Sequence, residues 1–320
     1  MRFNKSILIF ILIISAFTAM SQQAIMFSQN MFSYGIINPA YFAIPNEMTA
    51  TGITRQQWIG FKDSEGNSVA PNTFSVQLQT PLNFLNSGIG GSIIQDKIGF
   101  FTDIEANIGY AMRFNVKKGL LSVGTQLSFK NRTIDFSKFT PIDPDDPIIN
   151  QSGGESSSIM GDIGLGVFYQ KTGEYYIGVS LLNILKSKGI AYNDQSSARP
   201  TNDRMIYIMG AYEVAIPSAP LFHFTPSALI KSNFINTQIS ISGLLTYNNK
   251  FWGGVTYNVQ SSDAFGILLG IKIKNIKIGY AYDLPLSQLN ATGSHEIMVS
   301  YSFKFTARAK TESYRNTRFL

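Results

Sequence analysis

No cysteine occurs in the 320 residues, which excludes disulfides, thiolate metal sites, cysteine nucleophiles and a lipid-modified N-terminus. Histidine is nearly missing too, with only His223 and His295 present. Charge is sparse at 14 % against 44 % hydrophobic residues, a blend suited to strands with one apolar face. Arg2 and Lys5 supply two of the 26 basic residues, and the remaining 24 exceed the 20 acidic ones by only four. So small an excess gives no argument for nucleic acid. Beyond the first residues no apolar run approaches the roughly 20 that a helical membrane span requires.

Residues 1–21 carry a basic start, an apolar run over 7–14 and the small-residue site Ala19-Met20-Ser21 before Gln22. This is the pattern of a secretory signal peptide. The alternative, a retained anchor, is disfavoured because the apolar run is too short to span a bilayer.

What the chain does have is period-2 hydrophobicity. It marks about fourteen strands from Met48 to near Phe305. In the fourth, Ile104, Ala106, Ile108, Tyr110, Met112 and Phe114 alternate with Asp103, Glu105, Asn107, Gly109, Ala111 and Arg113. Successive side chains of a strand point to opposite faces, so the two sets meet different surroundings. The fifth strand and the last three repeat the pattern, ending with Ile297, Val299, Tyr301, Phe303 and Phe305. The eighth, 204–216, alternates poorly, because Met205, Tyr207 and Met209 oppose Ile206, Ile208 and Tyr212; its inner face is expected to pack on a loop or plug. Tight turns are expected at 115–118, 171–173, 217–220, 248–249 and 274–275, and longer stretches at 59–71, 132–157, 186–203 and 284–293. Short turns on one side and long loops on the other are the signature of a transmembrane β-barrel with periplasmic turns and outer loops. In lipid every backbone polar group must be paired, so such a sheet has to close on itself. Trp58, Trp252, Tyr175 and Tyr176 fall at strand ends, where an aromatic belt sits.

The sequence therefore divides into a signal peptide (1–21), a periplasmic N-terminal segment or plug (22–47), an outer-membrane β-barrel (48–305) and a basic periplasmic tail (306–320). No catalytic, cofactor-binding or metal-binding residues are assigned. Neither histidine sits in a motif for a rim lipase, the remaining enzymatic reading. The acidic loop Asp143, Asp145 and Asp146 lacks the register of a calcium loop and is expected to be solvated. The tail carries Arg308, Lys310, Arg315 and Arg318 against Glu312, and is either a disordered end or a docking peptide. Inward Asp103, Glu105, Arg113, Lys130, Asp162 and Lys272 would make a lumen polar, which leaves a diffusion channel or transporter open as an alternative function.

Several ordered motifs resemble those of one family. Met26-Phe27-Ser28-Gln29-Asn30-Met31-Phe32 and Asn38-Pro39-Ala40-Tyr41 are similar to the opening of the PorP/SprF family of Bacteroidetes outer-membrane proteins. Arg55-Gln56-Gln57-Trp58 with Gly60-Phe61, Gly88 to Gly91 followed by Asp96 and Gly99, and Gly293-Ser294-His295-Glu296 with Tyr301-Ser302-Phe303 continue the likeness. Phe42-Ala43-Ile44-Pro45 departs from the glycine-containing stretch usual after the Asn-Pro-Ala-Tyr motif. The resemblance implies an outer-membrane component of the type IX secretion system, one that supports secretion or surface attachment of large exported proteins such as gliding adhesins. It also implies partners: an exported client and secretion-machine subunits on the periplasmic side, with outer-membrane lipid around the barrel.

Overall fold

The computed structural model describes residues 26–62, 66, 69–136, 154–190, 199–259, 265–284 and 292–303. Sequence expectations for the signal peptide, for most of the loop 132–157 including Asp143, Asp145 and Asp146, and for the tail lie outside these residues. The strands are β1 (Met48–Gln56), β2 (Asn72–Leu82), β3 (Ser87–Ile98), β4 (Phe101–Val116), β5 (Gly119–Asp135), β6 (Glu155–Lys171), β7 (Tyr175–Leu182), β8 (Met205–Tyr212), β9 (Val214–Ala215), β10 (Phe222–Ser232), β11 (Thr237–Tyr247), β12 (Phe251–Val259), β13 (Phe265–Ile273), β14 (Ile276–Leu284) and β15 (Ser294–Phe303). Each pairs antiparallel with its neighbours, and β15 pairs with β1, so the sheet is a ring.

β8 and β9 form one stave, which makes fourteen in all. Their break has a local cause. The pairs Ser227↔Ala211 and Phe224↔Val214 keep one register across it, and Pro226, between them on β10, has no N–H for the ladder.

The apolar side chains face outward. Phe74, Val76 and Leu78 on β2, Ile108 and Tyr110 on β4, Leu165 and Val167 on β6, and Ile297, Val299 and Tyr301 on β15 are all exposed. Their alternating partners Ser75, Gln77, Gln79, Asn107 and Ser300 are buried in the interior. This inverts a soluble sheet and is what lipid outside and polar groups inside require. Among the described residues no helix is long and apolar enough to cross a membrane.

The connections differ in detail from the sequence expectation. Periplasmic turns are short at 117–118, 248–250 and 274–275, and Asn248 and Asn249, the central residues of the turn that Lys250 N–H closes on the Tyr247 carbonyl, both take positive φ, as a hairpin turn of matching twist demands. On the outer side, however, Gly99-Phe100 and 233–236 are also short. The alternation is thus not strict. The outer stretch expected from Arg132 begins later, because β5 runs on to Asp135 and β6 starts at Glu155: the ladder continues through Arg132↔Ser158 and Thr133↔Ser157. Strands β4, β5 and β6 reach 16, 17 and 17 residues while β7 and β8 have 8 each, so the rim is high on one side and low on the other.

Candidate functional site

The barrel interior is occupied by the chain itself. From Glu47 at the periplasmic rim, residues 44–26 ascend the lumen in three short turns, Pro39–Ala43, Tyr34–Ile37 and Asn30–Phe32. Tyr34, Ala40, Phe42 and Ala43 are almost fully enclosed. The described part of the segment stands inside the wall, and its upper end lies beside Arg55, close to the outer end of β1.

Asn38 explains much of the seat. Its side-chain oxygen accepts the Ala40 N–H at 3.0 Å, capping the turn that Pro39 opens. Its Nδ2 donates to the carbonyls of Val167 at 3.1 Å and Val179 at 3.4 Å, fastening that cap to β6 and β7. Ser122 Oγ donates to the Ala40 carbonyl at 2.7 Å, and Ser180 Oγ to that of Ile37 at 2.5 Å.

The wall is bare where the segment touches it. A Cβ at Gly90 would lie 2.3 Å from the Phe42 ring, and one at Gly109 2.6 Å from it. At Gly166 it would meet Asn38 Oδ1 at 2.1 Å. Glycine is what permits this approach, so the segment has one seat cut to its shape.

The upper end is held by charge. Arg55 Nη1 lies 2.6 Å from Asp283 Oδ2 and 3.1 Å from Glu296 Oε2. Glu296 also accepts the backbone N–H of Ser28 and of Gln29, each at 2.9 Å, and Ser28 Oγ donates to Asp283. All three charged groups are buried, so each relies on this network for its solvation.

Aromatic residues pack the segment against the wall. Tyr34 shares a 2.7 Å hydroxyl contact with Tyr176, and burial pushes its phenol pKa up, so it stays protonated. With Tyr34, the inward Tyr207, Met209 and Leu229 form an apolar cluster, which accounts for the weak alternation of β8. Trp252 packs on Phe32 at 5.4 Å over Gly270. Trp252 and Tyr176 therefore belong to the interior and not to the aromatic belt, while Tyr175 is exposed outside. Strand phase was the available signal: Phe251 and Tyr175 point out, so their neighbours point in.

Nearer the outer mouth the lumen is lined by ion pairs. Arg132 holds Asp103 through two bonds of 2.8 and 2.6 Å, and Lys130 meets Glu105 at 3.0 Å. Asp162 accepts from the N–H groups of Leu185 (2.9 Å) and Ser187 (3.1 Å), folding the stretch after β7 inward. Arg113 faces the segment at Ala43, whereas Lys272 is exposed at the periplasmic end. The histidines stand at opposite ends, His223 beside Glu213 and His295 against Tyr280, so they do not converge. Among the described residues no group of His, Asp and Glu could hold a metal ion.

The sequence matches the family described as type IX secretion system membrane protein PorP/SprF over residues 19–301. The chain belongs to that family. Membership and barrel together make this PorP/SprF protein an outer-membrane component of the type IX secretion system, a class that is not a known enzyme class. No curated protein matches it in sequence. Among solved structures it is similar to the Pseudomonas putida toluene transporter TodX, with TM-score 0.49 and 11 % identity over 84 % of this chain and 93 % of that one. It is also similar to the Ralstonia pickettii toluene transporter TbuX (0.45, 12 %, 85 % and 93 %) and to Acinetobacter baumannii Omp33 (0.44, 9 %, 81 % and 98 %).

Proposed function

We propose that this PorP/SprF barrel is a recognition component that holds a large exported protein, such as an adhesin, at its outer face and contacts secretion-machine subunits from below. The observation that carries the reading is the occupied lumen. A segment pinned by Asn38 and by the Arg55, Asp283 and Glu296 network leaves a conduit little role, whereas a rigid filled barrel suits a docking platform. The purified protein should be silent in planar bilayers, and its isolation from native outer membranes should bring down a surface protein. Steady ohmic current with no bound protein would sink the proposal in favour of a channel.

Two further parts belong to the same reading. Residues 1–21 are a cleaved signal peptide, so N-terminal sequencing of the mature protein should begin at Gln22. The tail 306–320 is a docking peptide: its deletion should abolish co-purification of periplasmic subunits while the barrel still assembles. Unchanged co-purification would refute that role for the tail.

A further inference from the structure

The step in the rim exposes a strand edge. β6 pairs with β5 from Glu155 to Gln170, but with β7 only from Leu165 to Lys171. Above that point the chain leaves the wall: Ile184 N–H donates to the Ile163 carbonyl, and the next residues turn inward onto Asp162. In β6 the even residues bond to β5, as Gly154 does through Phe136, and the odd ones face the side that β7 has vacated, as Ile163 shows. The N–H and C=O groups of Ser157, Ile159 and Gly161 therefore point along an open edge. Among the described residues no hydrogen bond meets them there.

This edge stands at the outer surface. Seventeen residues at about 3.3 Å rise and a tilt near 40° climb roughly 43 Å, against a hydrocarbon core of about 30 Å. On the outward face of this hairpin Ile159 and Phe129, exposed by 60 % and 56 %, are the upper apolar residues, with polar Ser157 and Asn131 above them. Natural sheets cover or blunt such an edge, because it is a template for another strand.

We propose that this edge of β6 accepts an extended strand of the exported partner, by addition of that strand to the sheet beside Ser157, Ile159 and Gly161. The inference rests on the recognition reading above. A second copy of the chain does not fit. Symmetric antiparallel pairing of two β6 edges needs a two-fold axis across the strands, which would turn one barrel upside down in the bilayer. Main-chain bonds would supply affinity, and Ile159 would give a side-chain contact.

Hydrogen exchange tests this on the full barrel isolated with its retained surface protein, compared with the barrel expressed alone in detergent. Alone, the amides of Ser157, Ile159 and Gly161 should exchange fast while Ser158 and Met160, bonded to β5, exchange slowly. In the complex the first three should slow by about a hundredfold or more. Unchanged exchange in a complex that does contain a surface protein overturns the edge inference and leaves recognition standing. A preparation with no surface protein overturns recognition itself. A Gly161→Cys chain that cross-links to its own copy in native membranes also overturns the inference. Ile159→Pro removes an edge N–H without touching a β5 bond, and should cut partner retention about tenfold, whereas Ile159→Ser should cost under about threefold. Equal losses would assign the contact to the side chain and refute strand addition.

Discussion

Arg55 shows what a single residue does here. Replacing it with methionine leaves Asp283 and Glu296 buried side by side without their cation, and removing one partner of such a network costs about 3–5 kcal/mol. The expected result for Arg55→Met is a clear fall in the temperature at which the folded barrel converts to its unfolded gel mobility. A double variant, Arg55→Met with Glu296→Gln, should recover part of the loss. Gly90 offers the complementary case. Gly90→Val places atoms where the Phe42 ring sits, so the segment should leave its seat while the ring of strands persists. Faster proteolysis within 26–44 would report it, and unchanged protection would contradict the seat as described. The inward charges Asp103, Glu105, Lys130 and Asp162 were legible from alternation alone. The Arg55 cluster was not. Arg55 and Glu296 are 241 positions apart and become register partners only because β15 closes the ring on β1, and no periodicity within a strand fixes that closure.

At the scale of elements, the strands and the hairpin turns could be read because both follow from local patterning. The height of β5 and β6 could not. Residues 131–135 and 155–157 are polar but for Ile134 and lack the alternation that marks a strand in lipid; only the register that already pairs Phe129 with Gly161 extends them. The segment after β7 depends on Asp162, which accepts two backbone N–H groups from it and the Ser187 hydroxyl. One charge-assisted bond is worth about 1.5–3 kcal/mol. Asp162→Ala should therefore raise proteolytic nicking in 185–204 by at least about tenfold, with the strands still paired. A nicking rate equal to the parent's would show that other contacts hold this stretch.

For the whole molecule, the fold class followed from the two faces of the strands, since only a closed ring satisfies backbone groups in lipid. The path of residues 26–44 did not follow, because its contacts with β3, β4 and β6 are set by glycines whose spacing looks like ordinary strand variation. Deleting residues 22–43 provides a global test: the ring should still form, and conductance should appear where the parent is silent. The anchor of the segment has a further consequence. Ser28 stands 255 positions before Asp283 and 268 before Glu296, and they meet with Arg55 across the junction of β1, β14 and β15. Assembly is thereby self-checking: a polypeptide without β14 and β15 has no acids to clasp the segment, so one that carries them fastens its core and locks the seam in the same act.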